Sequence, residues 1–236
     1  MRKSILTLLT LLLALNIYAV DIPKQGFGLQ IGFAQPILRQ NDASMRYSKD
    51  SLVNITRLNG FKIGLTYDAS YIAGFGSSIG INYTFAGNST KWEQKNISFS
   101  ERTQTIYNEL EVFVDWQYKF EVAKETYLIA YTGPSIQCGL SFNRTSYMRN
   151  EVTDDISVTK TPRYTTETAD EALKRINVTW GIGAGFQYQR YFLRGGYEFG
   201  LINPYKNQKF EGLDRYTRGR LDQWTIKIGM YLWYND

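Results

Sequence analysis

Histidine is absent from this sequence, cysteine occurs once and proline five times in 236 residues. The first absence removes whole chemistries. No Ser–His or Cys–His nucleophile pair, no Asp–His proteolytic site and no histidine-ligated metal can be assembled. No enzyme, no cofactor and no metal centre is expected. The lone Cys138 cannot close an internal disulfide, and inside an alternating segment it reads as a small apolar filler. Helical periodicity is missing too: only Thr168–Lys174 has a helix-like start, one or two turns inside a loop. Beyond the N-terminus no run approaches the roughly 20 apolar residues of a membrane-crossing helix.

The chain is instead rich in aromatics and glycine, with 18 Tyr, 13 Phe, 5 Trp and 20 Gly, a composition suited to strands. It opens as a secretory leader does. Arg2 and Lys3 precede an apolar stretch from Ile5 to Leu15, and the small Ala19 marks a cleavage site. Residues 1–19 are therefore expected to be a signal peptide and 20–236 a single domain. Losing Arg2 and Lys3 lowers the formal charge from +5 to +3, too little to suggest nucleic acid as a partner.

Alternation is clearest from Ile176 to Pro204. Ile176, Val178, Trp180, Ile182, Ala184, Phe186 and Tyr188 fall in one column; Asn177, Thr179, Gly181, Gly183, Gly185 and Gln187 fall in the other. After a break at Gln189-Arg190, Leu193, Tyr197, Phe199 and Leu201 alternate with Arg194, Gly196, Glu198 and Gly200. Successive side chains of a strand point to opposite faces, so this is a hairpin with one bulky and one small or polar face. A soluble barrel puts its bulky face inside and its charges outside. Here the bulky column is uncharged, and the first strand is long enough for the roughly 9–11 residues that a tilted membrane strand needs. The pattern fits a lipid-exposed wall around a polar lumen.

Eight segments alternate in this way: Phe27–Pro36, Gly60–Asp68, Ser77–Phe85, Asn108–Lys119, Thr126–Phe142, the two strands of the hairpin, and Gln223–Tyr234. None of their bulky columns holds a charge, as expected where an Arg or Lys costs about 2–4 kcal/mol at mid-depth. In the fifth, Ile136, Cys138, Leu140 and Phe142 form the bulky column, and a bulge or register change is expected near Gly133-Pro134. Connections alternate in length. Those at Ala69–Gly76, Phe120–Glu125 and Gln189-Arg190 are short; Ile37–Asn59, Ala86–Tyr107, Asn143–Arg175 and Asn203–Asp222 are long. The fold class is all-β: an eight-stranded antiparallel up-and-down transmembrane β-barrel with short turns on one side and long extracellular loops on the other.

The stretches YNELEVFVDWQYKF (Tyr107 to Phe120), YLIAYTGPSIQCGLSF (Tyr127 to Phe142), INVTWGIGAGFQY and YFLRGGYEFGLIN, in that order, resemble the outer-membrane β-barrel family of Bacteroidota called PorT-like. Tyr197, Gly200-Leu201 and Asn203 close the set, and the resemblance runs from about Gly26 to Tyr234; Phe113 stands where the family often has Pro. It implies an eight-stranded barrel in the outer membrane of a Gram-negative cell, and for most members no chemistry.

The inward column carries Lys62, Glu109, Glu111, Asp115, Lys119, Arg194, Glu198 and Lys227. An eight-stranded barrel is about wide enough to be filled by its own side chains, and buried charges persist when paired. These eight are expected to form a charge network that plugs the lumen. The alternative is a narrow pathway for ions or solutes built on Glu109, Glu111 and Asp115. A more remote alternative is a secreted, lipocalin-like soluble binder, which would require a bulky apolar interior.

The Gly181-x-Gly183-x-Gly185 run lacks the following helix that phosphate binding needs, and is expected to make room for bulky neighbours. Asp154-Asp155 and Asp170-Glu171 read as solvated charge, and the Asn-x-Ser/Thr triplets, including those at Asn82 and Asn177, as compositional. Variety is concentrated in the loops, with Arg39, Arg46, Lys49, Trp92, Tyr147, Arg149, Arg163, Tyr164, Arg215, Tyr216, Arg218 and Arg220. Such side chains serve as contact anchors or as anchors to lipid headgroups. The expected surroundings are outer-membrane lipid around a monomer, with envelope or extracellular protein partners reached through the loops.

Overall fold

In the computed structural model, which describes residues 25–41, 53–72, 74–94, 99–150, 155–164, 173–206, 208–210, 213–215 and 218–235, each alternating segment lies within a strand. The strands are β1 (Gln25–Asn41), β2 (Val53–Arg57), β3 (Asn59–Ile72), β4 (Phe75–Gln94), β5 (Phe99–Ala123), β6 (Thr126–Asn150), β7 (Ile156–Pro162), β8 (Ile176–Tyr188), β9 (Tyr191–Gly200), β10 (Gln208–Phe210), β11 (Leu213–Arg215) and β12 (Arg218–Asn235). Neighbours pair antiparallel in the order β12-β9-β8-β6-β5-β4-β3-β1, and β1 pairs with β12 along its whole length to close an eight-stranded ring. Residues 1–19, expected from the sequence to be a signal peptide, lie outside the described residues.

Large apolar side chains are exposed all round this ring: Leu29 and Ile31 on β1, Ile63 on β3, Ile81 on β4, Val112 on β5, Ile136 on β6, Ile182 on β8, Leu193 on β9, and Ile226 and Ile228 on β12. The opposite column of each strand is buried and largely polar. Its members include Gln30, Lys62, Asn82, Glu111, Gln137, Thr179, Arg194 and Thr225. Outside and inside are thus reversed relative to a soluble barrel. The bulky apolar interior required of a lipocalin-like binder is not what fills the middle of this one.

Two local expectations are corrected. Across Gly133-Pro134 the register of β6 against β8 runs unbroken, Gly133 opposite Gly181 and Pro134 opposite Trp180. Pro134 lacks an N–H, so the β5 ladder skips there, resuming in step at Trp116 opposite Thr132. The register shift falls higher, where Asn108 faces Ser141 and Glu109 faces Gly139, leaving Leu140 as the extra residue. An extra residue reverses the phase, so Phe142, expected on the outer face, is inside and 4% exposed.

The second correction concerns the loops. Much of what looked like loop is strand. β5 and β6 each run 25 residues, about 80 Å at ~3.3 Å per residue, against a hydrocarbon core of ~30 Å. Above the ring, β2 takes over from β3 as partner of β1, and β7 takes over from β8 as partner of β6. The two-residue turns at Lys124-Glu125 and Gln189-Arg190 close the other end, Glu125 and Gln189 each with positive φ.

Candidate functional site

The lumen is filled at three levels. Nearest the tight turns, Asp68 on β3 accepts from Arg194 Nη2 at 2.6 Å, from Lys119 Nζ at 3.2 Å and from the Tyr231 hydroxyl. Arg194 also donates to Ser78 Oγ at 3.0 Å and to Gln117 Oε1 at 3.3 Å, and its guanidinium lies 4.8 Å from the Phe192 ring. β9 and β4 stand opposite each other in the ring, so the Arg194–Ser78 contact crosses the full bore.

The middle level centres on Lys62, fully buried. Its ammonium donates to Glu111 Oε2 and Gln223 Oε1, each at 2.5 Å, and lies 3.5 Å from Glu198 Oε1. Asn82 donates to the other Glu111 oxygen at 2.8 Å, Gln137 to Glu198 at 2.8 Å, and Asn177 to Gln137 at 2.7 Å. Below Lys62, the Lys227 ammonium sits 5.0 Å from the Phe113 ring and lines, with Asp115, Glu111 and Glu198, a cavity of about 20 Å³. That is room for one water.

The upper level is apolar. Leu38, Leu58, Ala86, Tyr107, Phe142, Leu173, Tyr205 and Leu221 pack as one cluster across the mouth, with Tyr164 against it. Tyr107 donates to Glu109, which also accepts from Thr84 at 3.4 Å. Two connecting segments are stitched into this plug. Leu173 bridges Tyr205, and Arg163 N donates to Phe142 O at 2.8 Å. Tyr164 seats its hydroxyl where a Cβ on Gly139 would be. Burial pushes the Tyr164 phenol well up, and the Glu109 carboxylate nearby adds to this, so the Tyr164 hydroxyl stays protonated.

Of the eight charges placed in the lumen from sequence, seven are buried and Glu198 is 12% exposed at its side chain. Lys62, Glu111 and Glu198 form one group; Lys119 and Arg194 form another around Asp68; Glu109 belongs to the plug, and Asp115 and Lys227 line the small cavity. Asp68 went unnoticed, although it shares the column of Lys62. The glycine run behaves in part as expected: a Cβ at Gly183 would overlap the Tyr131 ring and one at Gly185 would crowd Arg194, while Gly181 has space.

Above the plug the continued walls of β1, β2, β4, β5 and β6 enclose a vestibule of about 260 Å³. Its floor is Leu38, Phe142 and Tyr205; its sides present Gln40, Asn88, Thr56, Thr90, Thr103 and Thr105, with Arg57, Arg144 and Arg163. On the outer wall just above the apolar belt, Asp222 is fully buried among Arg39, Tyr197 and Arg220, and accepts from Gly200 N at 3.0 Å. Asp222 therefore receives the strand-end N–H of β9 where its ladder with β12 has ended. Of the other loop residues singled out in the sequence, Tyr147 and Arg149 are exposed on β6. Arg46, Lys49 and Tyr216, Asp154, Asp170-Glu171 and most of Thr168–Lys174 lie outside the described residues, as do the side chains of Trp92, Arg215 and Arg218.

No family model and no curated protein matches this chain. Solved structures similar to it include the attachment invasion locus protein Ail of Yersinia pestis, in complex with the heparin analogue sucrose octasulfate, at 12% identity. That match covers 89% of this chain and 99% of that one with a TM-score of 0.42. Neisserial surface protein A follows at 10% identity, 88% and 97% coverage and a TM-score of 0.36. The N-terminal β-barrel domain of Pseudomonas aeruginosa OprF is similar at 12% identity, 88% and 99% coverage and a TM-score of 0.29. Values this low say nothing of role.

Proposed function

We propose that this chain is an integral outer-membrane barrel of the PorT-like kind its strand motifs resemble, exported by its leader and monomeric. Its lumen is sealed, and its extracellular end performs a structural or interaction role in adhesion, secretion or envelope integrity. Support for the membrane location is physical. Lipid offers backbone groups no partner, so a spanning sheet must close, and this one closes with its apolar residues outward. Polar groups on that face pair among themselves: Trp180 Nε1 donates to Thr132 Oγ1 at 2.9 Å, and Thr132 donates to Gly181 O at 2.8 Å.

The observation that carries the sealed reading is the Arg194 side chain spanning the bore, fixed at both ends beneath a second ionic layer and an apolar plug. Charged groups this far from water are held by their mutual pairing, so opening a path would mean separating them. Purified protein in planar bilayers should show no steady single-channel current. Reproducible conductance at wild-type sequence would replace this function with the ion-pathway alternative. Fractionation of expressing cells should place the protein in the outer membrane with heat-modifiable migration; recovery from the soluble periplasm would end the membrane reading.

A further inference from the structure

The small cavity between the two ionic groups gathers polar side chains that those groups leave over. Asp115 on β5, Tyr131 on β6, and Thr225 and Lys227 on β12 all line it. Each is more than nine-tenths buried, from 2% exposed at Thr225 to 8% at Tyr131. Among the described residues, none of the four side chains makes a direct hydrogen bond or ion pair. Asp115 and Lys227 attract each other without touching, and the ammonium has the Phe113 ring at 5.0 Å. Their neighbours are already engaged: Ser135 bonds Thr179, while Glu111 and Glu198 share Lys62. Glycines create the space. Gly133, Gly181 and Gly196 face inward on β6, β8 and β9, so the wall there is backbone alone.

Buried polar groups without partners are costly, and four around one dry void would be exceptional. The occupant that satisfies them is set by charge. A cation would meet the Lys227 ammonium and an anion the Asp115 carboxylate. A neutral molecule that both donates and accepts meets neither objection. The volume of about 20 Å³ admits one water. Water has two donors and two acceptors, which matches an ammonium, a carboxylate and two hydroxyls that can act either way.

We propose that this cavity is a binding site for a single water molecule, which accepts from Lys227, donates to Asp115 and bonds the Tyr131 and Thr225 hydroxyls. β12 and β5 stand opposite each other in the ring, so the water ties the two walls across the bore. Lys227 is paired in register with Arg194 on β9, which crosses the bore directly. The lumen is thus spanned twice at neighbouring positions, once by a side chain and once through solvent.

Two measurements on the full-length folded protein test this. A crystal structure at a resolution that shows ordered solvent should place one water within hydrogen-bond distance of at least three of the four groups. No density there, an ion in its place, or direct contact between Asp115 and Lys227 overturns the proposal. The second test uses the one lining glycine with room for a methyl group. A Cβ at Gly181 would lie 3.6 Å from Glu198 Cγ and 3.7 Å from Gly133 O, ordinary contact distances, whereas at Gly133 or Gly196 it would collide. In a dry void, Gly181→Ala fills space and stiffens the unfolded chain, so the urea midpoint in lipid vesicles would rise. With water bound, the methyl competes with it and leaves polar groups unpaired. A fall of roughly 0.5 M urea or more is then expected. A midpoint equal to or above wild type overturns the proposal. Gly181→Ala is scored only if its heat-modifiable migration matches wild type, and the crystal structure of the wild-type protein decides in any case. Neither failure alters the bilayer and fractionation outcomes above, which read conduction and location rather than occupancy of this cavity.

Discussion

Asp68 shows what a single buried charge does in a lumen of this width. Three donors, Arg194, Lys119 and Tyr231, converge on one of its oxygens, and the Thr66 hydroxyl lies 3.3 Å from the other. Asp68→Asn keeps the shape but strands two buried cations. Removing one partner of a buried pair typically costs ~3–5 kcal/mol. Urea unfolding in lipid vesicles should show a loss of that order, and Asp68→Asn/Lys119→Met should recover part of it; a midpoint equal to wild type would show that the cations find other partners. Glycines give a second residue-scale contrast. A Cβ at Gly133 would run into the Val114 carbonyl, which belongs to a paired strand and cannot yield, whereas at Gly139 it meets only the end of the Tyr164 side chain. Gly133→Ala should therefore fold poorly and Gly139→Ala should fold while displacing Tyr164, as read from the folded fraction on cold SDS gels. Similar yields for the two would contradict the rigid-backbone argument.

Among elements, what the sequence made legible stops where the lipid does. From Leu29 to Phe33, or Leu110 to Trp116, one face meets hydrocarbon and the other a polar bore, so alternation is sharp. Past Phe85 and Leu140 both faces of the wall are mixed or wet, and β4, β5 and β6 continue as strands through sequence that lost its period. Phe142 was misplaced for a related reason: a one-residue bulge has no signature in the alternation until the partner strand is known. The eight inward charges could be read because columns show them. Their grouping could not, because partners such as Lys62 and Gln223 are 161 residues apart. The division between belt and extension is testable. Asn143 pairs with Pro162, so replacing Arg144–Thr161 by an Asn-Gly turn reconnects neighbouring strands with a favoured two-residue loop. The shortened protein should retain heat-modifiable migration, and its failure to fold would show that the extension helps form the barrel. At the wall's rim, Asp222→Ala should remove the acceptor of Gly200 N and cost ~1–3 kcal/mol for the bond and its orphaned partners. Faster hydrogen exchange at the Gly200 amide is the expected signature, and an unchanged rate would assign that amide another acceptor.

For the whole molecule, the decisive property is that solvent and interior have exchanged roles. Ordinary folding buries apolar area and exposes charge; here Arg194 and Lys62 are among the largest fully buried side chains, while Ile226 and Ile228 are more than half exposed. In water such a surface would associate, since apolar patches beyond a few hundred Å² are rarely left open. In a bilayer the same surface is solvated, and the charged interior is paired within itself. Tryptophan reports directly on which solvent is present. Trp116, Trp180, Trp224 and Trp233 are all on the outer face, 39–51% exposed, while Trp92 pairs with Glu101 on the extended wall above. Reconstitution of Trp92→Phe into vesicles whose acyl chains carry bromine should therefore quench most of the indole emission, with unbrominated vesicles as reference. Aqueous iodide should quench it little. The opposite pattern, strong iodide quenching and insensitivity to brominated chains, would mean that these indoles face water and that the outer wall is not embedded in hydrocarbon.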